Sequence, residues 1–251
     1  MVELFKDFLL MLQFLTRLPI NISLPCEKEN FRKGTAFFPL VGLIIGGIEL
    51  GFYFALKSIL PVNITAVLLV LLGILLTGGL HVDGIGDTCD GFFAFKGKNS
   101  VIEIMKDSRI GTYACIAIVF DILIKYIGLS FVLQKGAWEV ILLAPILGRG
   151  SILILSFIGK PAKPKGTGNF FIQNVGVSEL IIGILFIVGF SYILVGVKSS
   201  VICIVFVIIM TFLFNKLCMH KMNGITGDSL GASNELNEML ILILFTAILK
   251  L

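Results

Sequence analysis

Charged residues are scarce in this chain of 251 residues: they make up 14% of it, whereas hydrophobic residues make up 57%. The mean hydropathy is +1.03. A soluble domain of ordinary composition carries about 25% charged residues, so too few polar side chains are present to cover a water-soluble globule. The composition excludes a conventional soluble fold and favours a single all-α domain over residues 1–251, built as a polytopic membrane helix bundle.

Cysteine and proline are sparse as well. The five cysteines form neither a C-x-x-C pair nor a cysteine–histidine cluster, so neither a disulfide framework nor a thiolate metal site is expected. Seven prolines and the lack of a low-complexity tract argue against a disordered chain. Residues 3–20 contain charged side chains and no small-residue cleavage site, so they do not fit a secretory signal peptide.

Seven segments approach the roughly 20 apolar residues that a helix needs to cross a bilayer. They cover residues 35–57, 63–80, 112–133, 138–158, 179–197, 200–218 and 237–250, of which the last is short. Within residues 3–20, hydrophobic side chains recur at helical spacing, which predicts an interfacial amphipathic helix. We therefore expect about seven transmembrane helices after an N-terminal interfacial helix.

Lysine and arginine are distributed unevenly between the two sides of these segments. Fourteen lie in the N-terminal region, in the connections 81–111 and 159–178, and in or just before the connection 219–236, whereas four lie on the opposite side. Cytoplasmic loops of membrane proteins carry an excess of these residues. The N-terminus and the long connections are therefore expected in the cytoplasm, where active-site loops would lie.

The most polar connection begins with GGLHVDGIGDTCDGFFAF at residues 78–95. On a helix, Asp83, Asp87 and Asp90 would share one face, because they stand at i, i+4 and i+7. Carboxylates this close repel one another unless they share a cation or take up a proton. Oxygen ligands without thiolate spacing favour Mg²⁺ or Mn²⁺, and Mg²⁺ commonly joins carboxylates to substrate phosphates. The pattern indicates a phosphate-handling metal site, with a solvated acidic turn as the alternative.

Two further features of this segment leave alternatives open. His81 is a candidate general acid or base, a phosphate donor, or an interfacial residue without a catalytic role. The D-x-x-D-G element at Asp87, Asp90 and Gly91 also occurs in membrane enzymes that transfer a phosphoalcohol from a CDP-linked donor. The rest of that longer pattern is missing. A CDP-alcohol phosphotransferase is therefore the nearest enzyme alternative.

Five segments, in order over nearly the whole chain, carry a resemblance to one family. They are FLTRLPI at 14–20, FFPLVGLIIG at 37–46, GGLHVDGIGDTCDGFF at 78–93, KDSRIGTYA at 106–114 and NGITGDSLGASNE at 223–235. Together they resemble the cobalamin synthase family, the adenosylcobinamide-GDP ribazoletransferases of late corrinoid synthesis. The H-x-D-G-x-x-D-x-x-D-G core of the third segment is the most specific.

This resemblance implies a Mg²⁺-dependent enzyme that joins adenosylcobinamide-GDP to α-ribazole, or to its 5′-phosphate, and releases GMP. The product would be adenosylcobalamin or its phosphate. The enzyme would lie in the cytoplasmic (inner) membrane of a prokaryote, with the lipid bilayer but no nucleic acid as a partner, and a homodimer is one option. A secondary transporter is the rival class, but the matching broken helices that it predicts in two halves of the chain are not evident.

The residues and the resemblance together give a candidate site. The catalytic candidates are His81, Asp83, Asp87 and Asp90, and the Mg²⁺ ligands would be the same three aspartates with Asp228 and Glu235. Substrate contacts are expected from cationic side chains and a glycine-rich cradle: Arg17, Lys106, Arg109, Arg149, Gly224, Thr226, Gly227 and Asp228. Alternatives remain for Arg17 and Arg109 as membrane-surface residues, and for Glu235 in the first turn of a helix capped by Ser233.

Polar and small residues within the proposed spans give three structural expectations. Asp121 and Lys125 stand at i and i+4 and should neutralise each other. Arg149 should face the bundle interior or the cytoplasmic cavity, because an arginine is costly in lipid. The G-x-x-x-G pair of Gly42 and Gly46 should let two helices approach closely, within the bundle or between protomers.

Overall fold

The computed structural model describes residues 2–94 and 97–250, and over these residues the chain is built from helices. The α-helices of this part are α1 (Val2–Leu15), α2 (Lys28–Gly34), α3 (Phe38–Leu56), α4 (Val62–Thr77), α5 (Leu80–Phe93), α6 (Lys98–Ile104), α7 (Thr112–Gln134), α8 (Glu139–Ile158), α9 (Val177–Met222) and α10 (Gly227–Ile248). Short 3-10 turns lie at Thr35–Phe37 and Thr167–Phe170. The predicted all-α class is confirmed.

Helices occupy all seven segments that the sequence assigns to the membrane. By length and hydropathy, four helical stretches among the described residues could cross it: Lys28–Leu56, Thr112–Gln134, Glu139–Ile158 and Val177–Met222. A fifth is added if α4 and α5, which are bent by 89°, count as one broken span. The number of seven stays a prediction. It is consistent with α9, which is interrupted by non-helical Gly196 near the boundary predicted between two spans.

Two connections predicted as loops are mainly helical. The 81–111 connection contains α5 and α6, with residues 95 and 96 outside the described residues. The prediction of a loop over 219–236 was wrong, because α9 runs to Met222 and α10 begins at Gly227. Thr226 caps α10, its hydroxyl accepting a hydrogen bond from the Ser229 N–H (3.3 Å). Ser233, the cap expected from the sequence, lies inside α10.

The N-terminal amphipathic helix is present as α1 and ends at Leu15. Its buried residues include Met11 and Leu15, whereas Leu4 and Phe5 are exposed. The carboxylate of Asp7 is buried and accepts a hydrogen bond from the Asn30 amide of α2 (2.8 Å). One face of α1 is therefore fixed to the bundle, as the spacing of its hydrophobic residues predicts.

The G-x-x-x-G pair joins α3 to α8. A Cβ atom at Gly42 would overlap the Pro145 carbonyl, and one at Gly46 would lie 2.9 Å from the Ile141 carbonyl oxygen. Pro145 lies inside α8 and has no N–H to donate to Ile141 four residues earlier, so that oxygen is free to face α3. The predicted close approach is confirmed, and it lies within one chain.

Gly42→Ala is expected to lower stability, because the added methyl meets backbone that cannot rotate away. Overpacking of this kind costs about 1–3 kcal/mol. Gly47→Ala on the same helix is the matched control, since nothing lies within 4 Å of a Cβ there. Thermal unfolding of the purified variants in detergent measures both, and equal midpoints would contradict the contact.

Candidate active site

The helix α5 carries the three aspartates, and a tight turn sets its direction. Gly78 and Gly79 have φ values of +62° and +73°, a left-handed conformation that favours glycine. The side chain of Arg17 lies over Gly78, and its backbone N–H donates to the Leu76 carbonyl (2.7 Å). Arg17 therefore supports the turn into α5, while the substrate contact expected of it stays a prediction.

Two glycines bring α5 directly against the first turns of α10. A Cβ at Gly84 would lie 2.7 Å from the Asp228 carbonyl oxygen, and one at Gly231 would lie 3.1 Å from the His81 Cα. Glycine is thus used here for helix packing, and Asp228 is carried next to α5. Gly227 begins α10, and the substrate contact predicted for it stays a prediction.

Gly224 lies where two backbone segments meet, and the substrate contact predicted for it stays a prediction. A Cβ there would lie 2.6 Å from the Lys160 carbonyl oxygen, and the neighbouring Ile225 N–H donates to the same oxygen (2.7 Å). The close approach of two backbone segments explains the glycine at this position.

Asp83 lies at the junction of two clefts. The first, here called the apolar cleft, offers about 580 Å³ and is lined by Phe14, Leu15, Phe38, Leu80, Ile152, Phe171 and Leu230, together with His81, Asp83, Thr167, Gly168, Gly227, Asp228 and Gly231. The second, here called the loop cleft, is lined by Asp83, Gly86, Asp87, Asp107, Ser108, Arg109, Ile110, Ala114 and Ile118. Asp83 is shared by both linings, so a group held in either cleft can reach its carboxylate.

Asp87 has an unusual electrostatic environment for a half-buried aspartate. Burial raises the pKa of Asp87 to about 7, and the neighbouring charges of Asp83 and Asp228 add to the effect. Burial also raises the pKa of Asp228, whereas the positive charge of Lys163 acts in the opposite direction. The aspartates of α5 and α10 therefore repel one another, as the sequence predicts for clustered carboxylates.

Asp90 is engaged differently from the other two aspartates of α5. Its carboxylate accepts hydrogen bonds from the backbone N–H groups of Gly111 (2.6 Å) and Ala114 (2.8 Å). These donors belong to the start of α7, where N–H groups lack helical partners. Asp90 thus caps α7 from outside, a structural function that its spacing in the motif does not reveal.

The arrangement of these carboxylates decides whether they fit a metal ion. Within residues 2–94 and 97–250, no group of three or more His, Cys, Asp or Glu side chains is already arranged to hold one. Asp83, Asp87 and Asp228 nevertheless offer oxygen donors whose repulsion a cation relieves. Mg²⁺ usually takes one or two carboxylates and completes its shell with water and substrate phosphates. The donor set fits Mg²⁺ held jointly by protein and substrate.

Asp87→Asn is expected to change how stability depends on pH in the presence of EDTA. A pKa raised from 3.8 to about 7 means that the folded state binds this proton more tightly than the unfolded chain does. Stability of the native protein therefore falls as the pH rises through this window, and asparagine removes that loss. The two proteins should have equal unfolding midpoints near pH 3.8, whereas at pH 8 the Asp87→Asn protein should have the higher midpoint. Equal pH profiles would contradict the environment assigned to Asp87.

The cations near the loop cleft lie on its exposed side. Arg109 donates from Nη2 and Nε to the Asp107 carboxylate (2.6 and 3.0 Å), and these hydrogen bonds lower the pKa of Asp107 to about 2. Lys106 is exposed beside them. Lys163 was missed as a site residue by sequence reasoning: it lies outside every motif, and only the fold brings its charge near Asp228.

Deeper in the bundle, Lys125, Arg149, Glu235 and Glu238 form what we call the buried charge cluster. Lys125 pairs with Glu235 and, at 2.9 Å, with Glu238, whereas Asp121 is 3.6 Å away. The predicted ion pair of Asp121 with Lys125 is confirmed, and packing of α10 against α7 adds two carboxylates that lie closer to the lysine. Glu235 lines neither the apolar nor the loop cleft, so its predicted role as a metal ligand gains no support.

Arg149 faces the bundle interior, as expected. Its guanidinium pairs with Glu238, and its Nη2 lies 3.4 Å from the Nδ1 of His81. Because Glu238 already neutralises Arg149, a contact of Arg149 with substrate stays a prediction. The Nε2 of His81 is buried and has no hydrogen-bond partner among the described residues, although His81 lines the apolar cleft.

Comparison with known proteins identifies the family of this chain. A family model described as cobalamin-5-phosphate synthase matches residues 7–246. An adenosylcobinamide-GDP ribazoletransferase of Clostridium tetani is 53% identical and covers 97% of both chains. Those of Clostridium botulinum (strain Okra) and Clostridium kluyveri are each 47% identical over 99% of this chain and cover 100% and 99% of their own length. No solved structure matches it.

Matches of this extent set aside the CDP-alcohol phosphotransferase and transporter alternatives. They identify the protein as a transferase that acts in cobalamin biosynthesis, and its long apolar helices identify it as a membrane protein. The chain belongs to the cobalamin-5-phosphate synthase family.

Proposed function

We propose that the protein transfers adenosylcobinamide phosphate from adenosylcobinamide-GDP to α-ribazole or its 5′-phosphate, with Mg²⁺ as cofactor and GMP as leaving group. The names of the full-length relatives support the two substrates. The structural observation that carries the proposal is the position of Asp83, which lines both clefts. A transfer between two separately bound substrates needs a reactive group that both can reach.

The reaction forms one phosphorus–oxygen bond and breaks another. A hydroxyl oxygen of α-ribazole attacks the phosphorus next to cobinamide, and the bridging oxygen leaves with GMP and the bonding electrons. The hydroxyl proton passes to a carboxylate of α5, Asp83 or Asp87, or to His81. Each of these three side chains lines at least one of the two clefts.

Electrostatic stabilisation supplies most of the rate in phosphoryl transfer. Mg²⁺ held by Asp83 and Asp87, with Asp228 on the facing helix, would supply positive charge for the pyrophosphate. On the exposed side, the guanidinium of Arg109 can release the Asp107 carboxylate and bind a phosphate of the donor instead, because both groups can accept two hydrogen bonds from it. Lys106 adds positive charge on this side, and Lys163 adds it near Asp228.

We also propose that the protein lies in the cytoplasmic membrane of a prokaryote, with its N-terminus and both clefts facing the cytoplasm. The bacterial relatives, the candidate spans and the uneven distribution of Lys and Arg support this orientation. The G-x-x-x-G pair is used inside the chain, so it provides no argument for a homodimer.

The proposed activity is tested with the purified full chain in nanodiscs, supplied with adenosylcobinamide-GDP, α-ribazole and Mg²⁺. Formation of adenosylcobalamin and an equal amount of GMP is the expected result, and EDTA should abolish it until Mg²⁺ is restored. The Clostridium tetani relative serves as the parallel sample. No product under conditions where that relative works would contradict the proposal, and full turnover in EDTA would contradict the role of Mg²⁺.

A further inference from the structure

The apolar cleft is lined by both aromatic and acidic side chains. Its larger apolar side chains include Phe14 in the last turn of α1, Phe38 at the start of α3, Ile152 in α8 and Phe171 after a 3-10 turn. The ring centroids of Phe14 and Phe38 lie 5.1 and 5.3 Å from that of Phe171, in edge-to-face geometry. The carboxylates of the cleft, Asp83 and Asp228, belong to α5 and α10. The cleft therefore suits a ligand with one flat apolar part and one hydroxylated part.

The two proposed substrates differ in whether they contain a flat apolar ring next to a hydroxylated group. The acceptor is a ribose that carries a benzimidazole with two methyl groups, a flat bicyclic ring whose edge is largely apolar. Guanine in the donor has a polar edge that needs several hydrogen-bond partners, which phenylalanine and isoleucine cannot supply. The corrin ring of the donor is larger than either cleft, so it would lie outside them.

We propose that the apolar cleft binds the aromatic base of the acceptor, with the ribose directed towards Asp83 and Asp228. This rests on the proposed function, because it assigns one of its two substrates to a subsite. The partly exposed ring of Phe14 contacts the base, and the buried rings of Phe171 and Phe38 support it. Ile152 lines the cleft, and the pyrophosphate of the donor lies at the loop cleft, which shares Asp83.

Ile152→Phe tests this assignment, because the added ring atoms fill the space intended for the base. Binding of labelled α-ribazole to the detergent-purified full chain is measured by equilibrium dialysis without donor. We expect its affinity to fall about tenfold or more, the usual scale for a filled pocket, and the KM for adenosylcobinamide-GDP to stay within about twofold. Ile154→Phe, two residues along α8 and outside both clefts, is the matched control and should bind as the native protein does.

A second variant covers the case in which Ile152→Phe does not fold. Phe14→Leu removes one ring of the cleft lining from the partly buried end of α1 and should weaken α-ribazole binding several-fold, about 1 kcal/mol or less per aromatic contact. Phe8→Leu in the same helix, which contacts Phe37 instead, should leave it unchanged. Unchanged α-ribazole affinity in a folded Ile152→Phe or Phe14→Leu protein would overturn the assignment, as would a selective loss of donor affinity.

Failure of the subsite and failure of the proposed function give different results. A native protein that binds α-ribazole with the predicted sensitivity to Ile152→Phe, but forms no product with the donor, would refute the transfer and leave the subsite standing. A native protein that forms product, while Ile152→Phe leaves the KM for α-ribazole unaltered, would refute the subsite alone.

Discussion

Asp83→Asn is expected to lower kcat for the transfer by a factor of about 10³, the scale seen when one electrostatic group is removed from an active site. Asp83 lines both clefts, so its carboxylate is the one that can act on the acceptor hydroxyl and share a cation with the donor pyrophosphate. Asparagine keeps the shape of the side chain and removes the negative charge. The rate is measured by GMP release from the purified protein at saturating Mg²⁺.

The control for Asp83→Asn is Glu103→Gln, which neutralises an exposed carboxylate of α6 that lines neither cleft. This variant should retain the native rate. The unfolding midpoint of Asp83→Asn should match or exceed that of the native protein, since a repelling charge is lost from the cluster. A folded Asp83→Asn protein with native turnover would remove Asp83 from the site.

Lys125→Met is expected to destabilise the protein by about 3–5 kcal/mol, the usual cost of removing one partner from a buried ion pair. The change leaves Glu235 and Glu238 with Arg149 as the remaining cation of the buried charge cluster. Methionine matches the length of the lysine stem, so the loss reports on charge and not on volume. Thermal unfolding in detergent and the yield of folded protein measure it.

Two comparisons separate the charge effect from a general effect on α7. Lys135→Met removes an exposed lysine from the end of the same helix and should leave the midpoint nearly unchanged. The double variant Lys125→Met with Glu235→Gln should recover part of the lost stability, because contacting charges are coupled in such cycles. If Lys125→Met unfolds at the native temperature, the ion pairs contribute nothing.

Local spacing in the sequence predicted which side chains α5 brings to one face, although the 81–111 connection that contains most of this helix was predicted as a loop. The i, i+4 and i+7 positions of Asp83, Asp87 and Asp90 place them on one side of a helix, and the structure has that helix at Leu80–Phe93. The same spacing could not reveal that Asp90 caps α7, since its donors at Gly111 and Ala114 lie 21 and 24 residues away. Sequence spacing predicts which face a side chain shares, but not which distant backbone meets that face.

The glycines near residue 227 caused the main error in the predicted secondary structure of this segment. A segment rich in glycine is typical of a loop, which is why a phosphate-binding loop was predicted at 223–235. In the structure Gly231 lies within α10, where the missing side chain lets α5 approach. Intrinsic helix propensity cannot distinguish a glycine that ends a helix from a glycine that lets another helix pack closely, because the difference depends on the neighbouring helix.

The same limit explains the partners of Lys125. A charged pair four residues apart on one helix is the simplest expectation from sequence, so Asp121 was preferred. The closer partners, Glu235 and Glu238, come from α10 and follow Lys125 by more than 100 residues. Packing of α10 against α7, which depends on the whole bundle, decides between these carboxylates.

That separation along the chain has a consequence for biogenesis. Glu235 follows Lys125 by 110 residues and Glu238 follows Arg149 by 89, so α7 and α8 emerge from the ribosome well before their counter-charges are synthesised. Until then the nascent chain must keep two cations near lipid with only Asp121 close to one of them. The arrival of α10 neutralises both cations, so α7 and α8 reach their full stability in the membrane only after α10 has been synthesised.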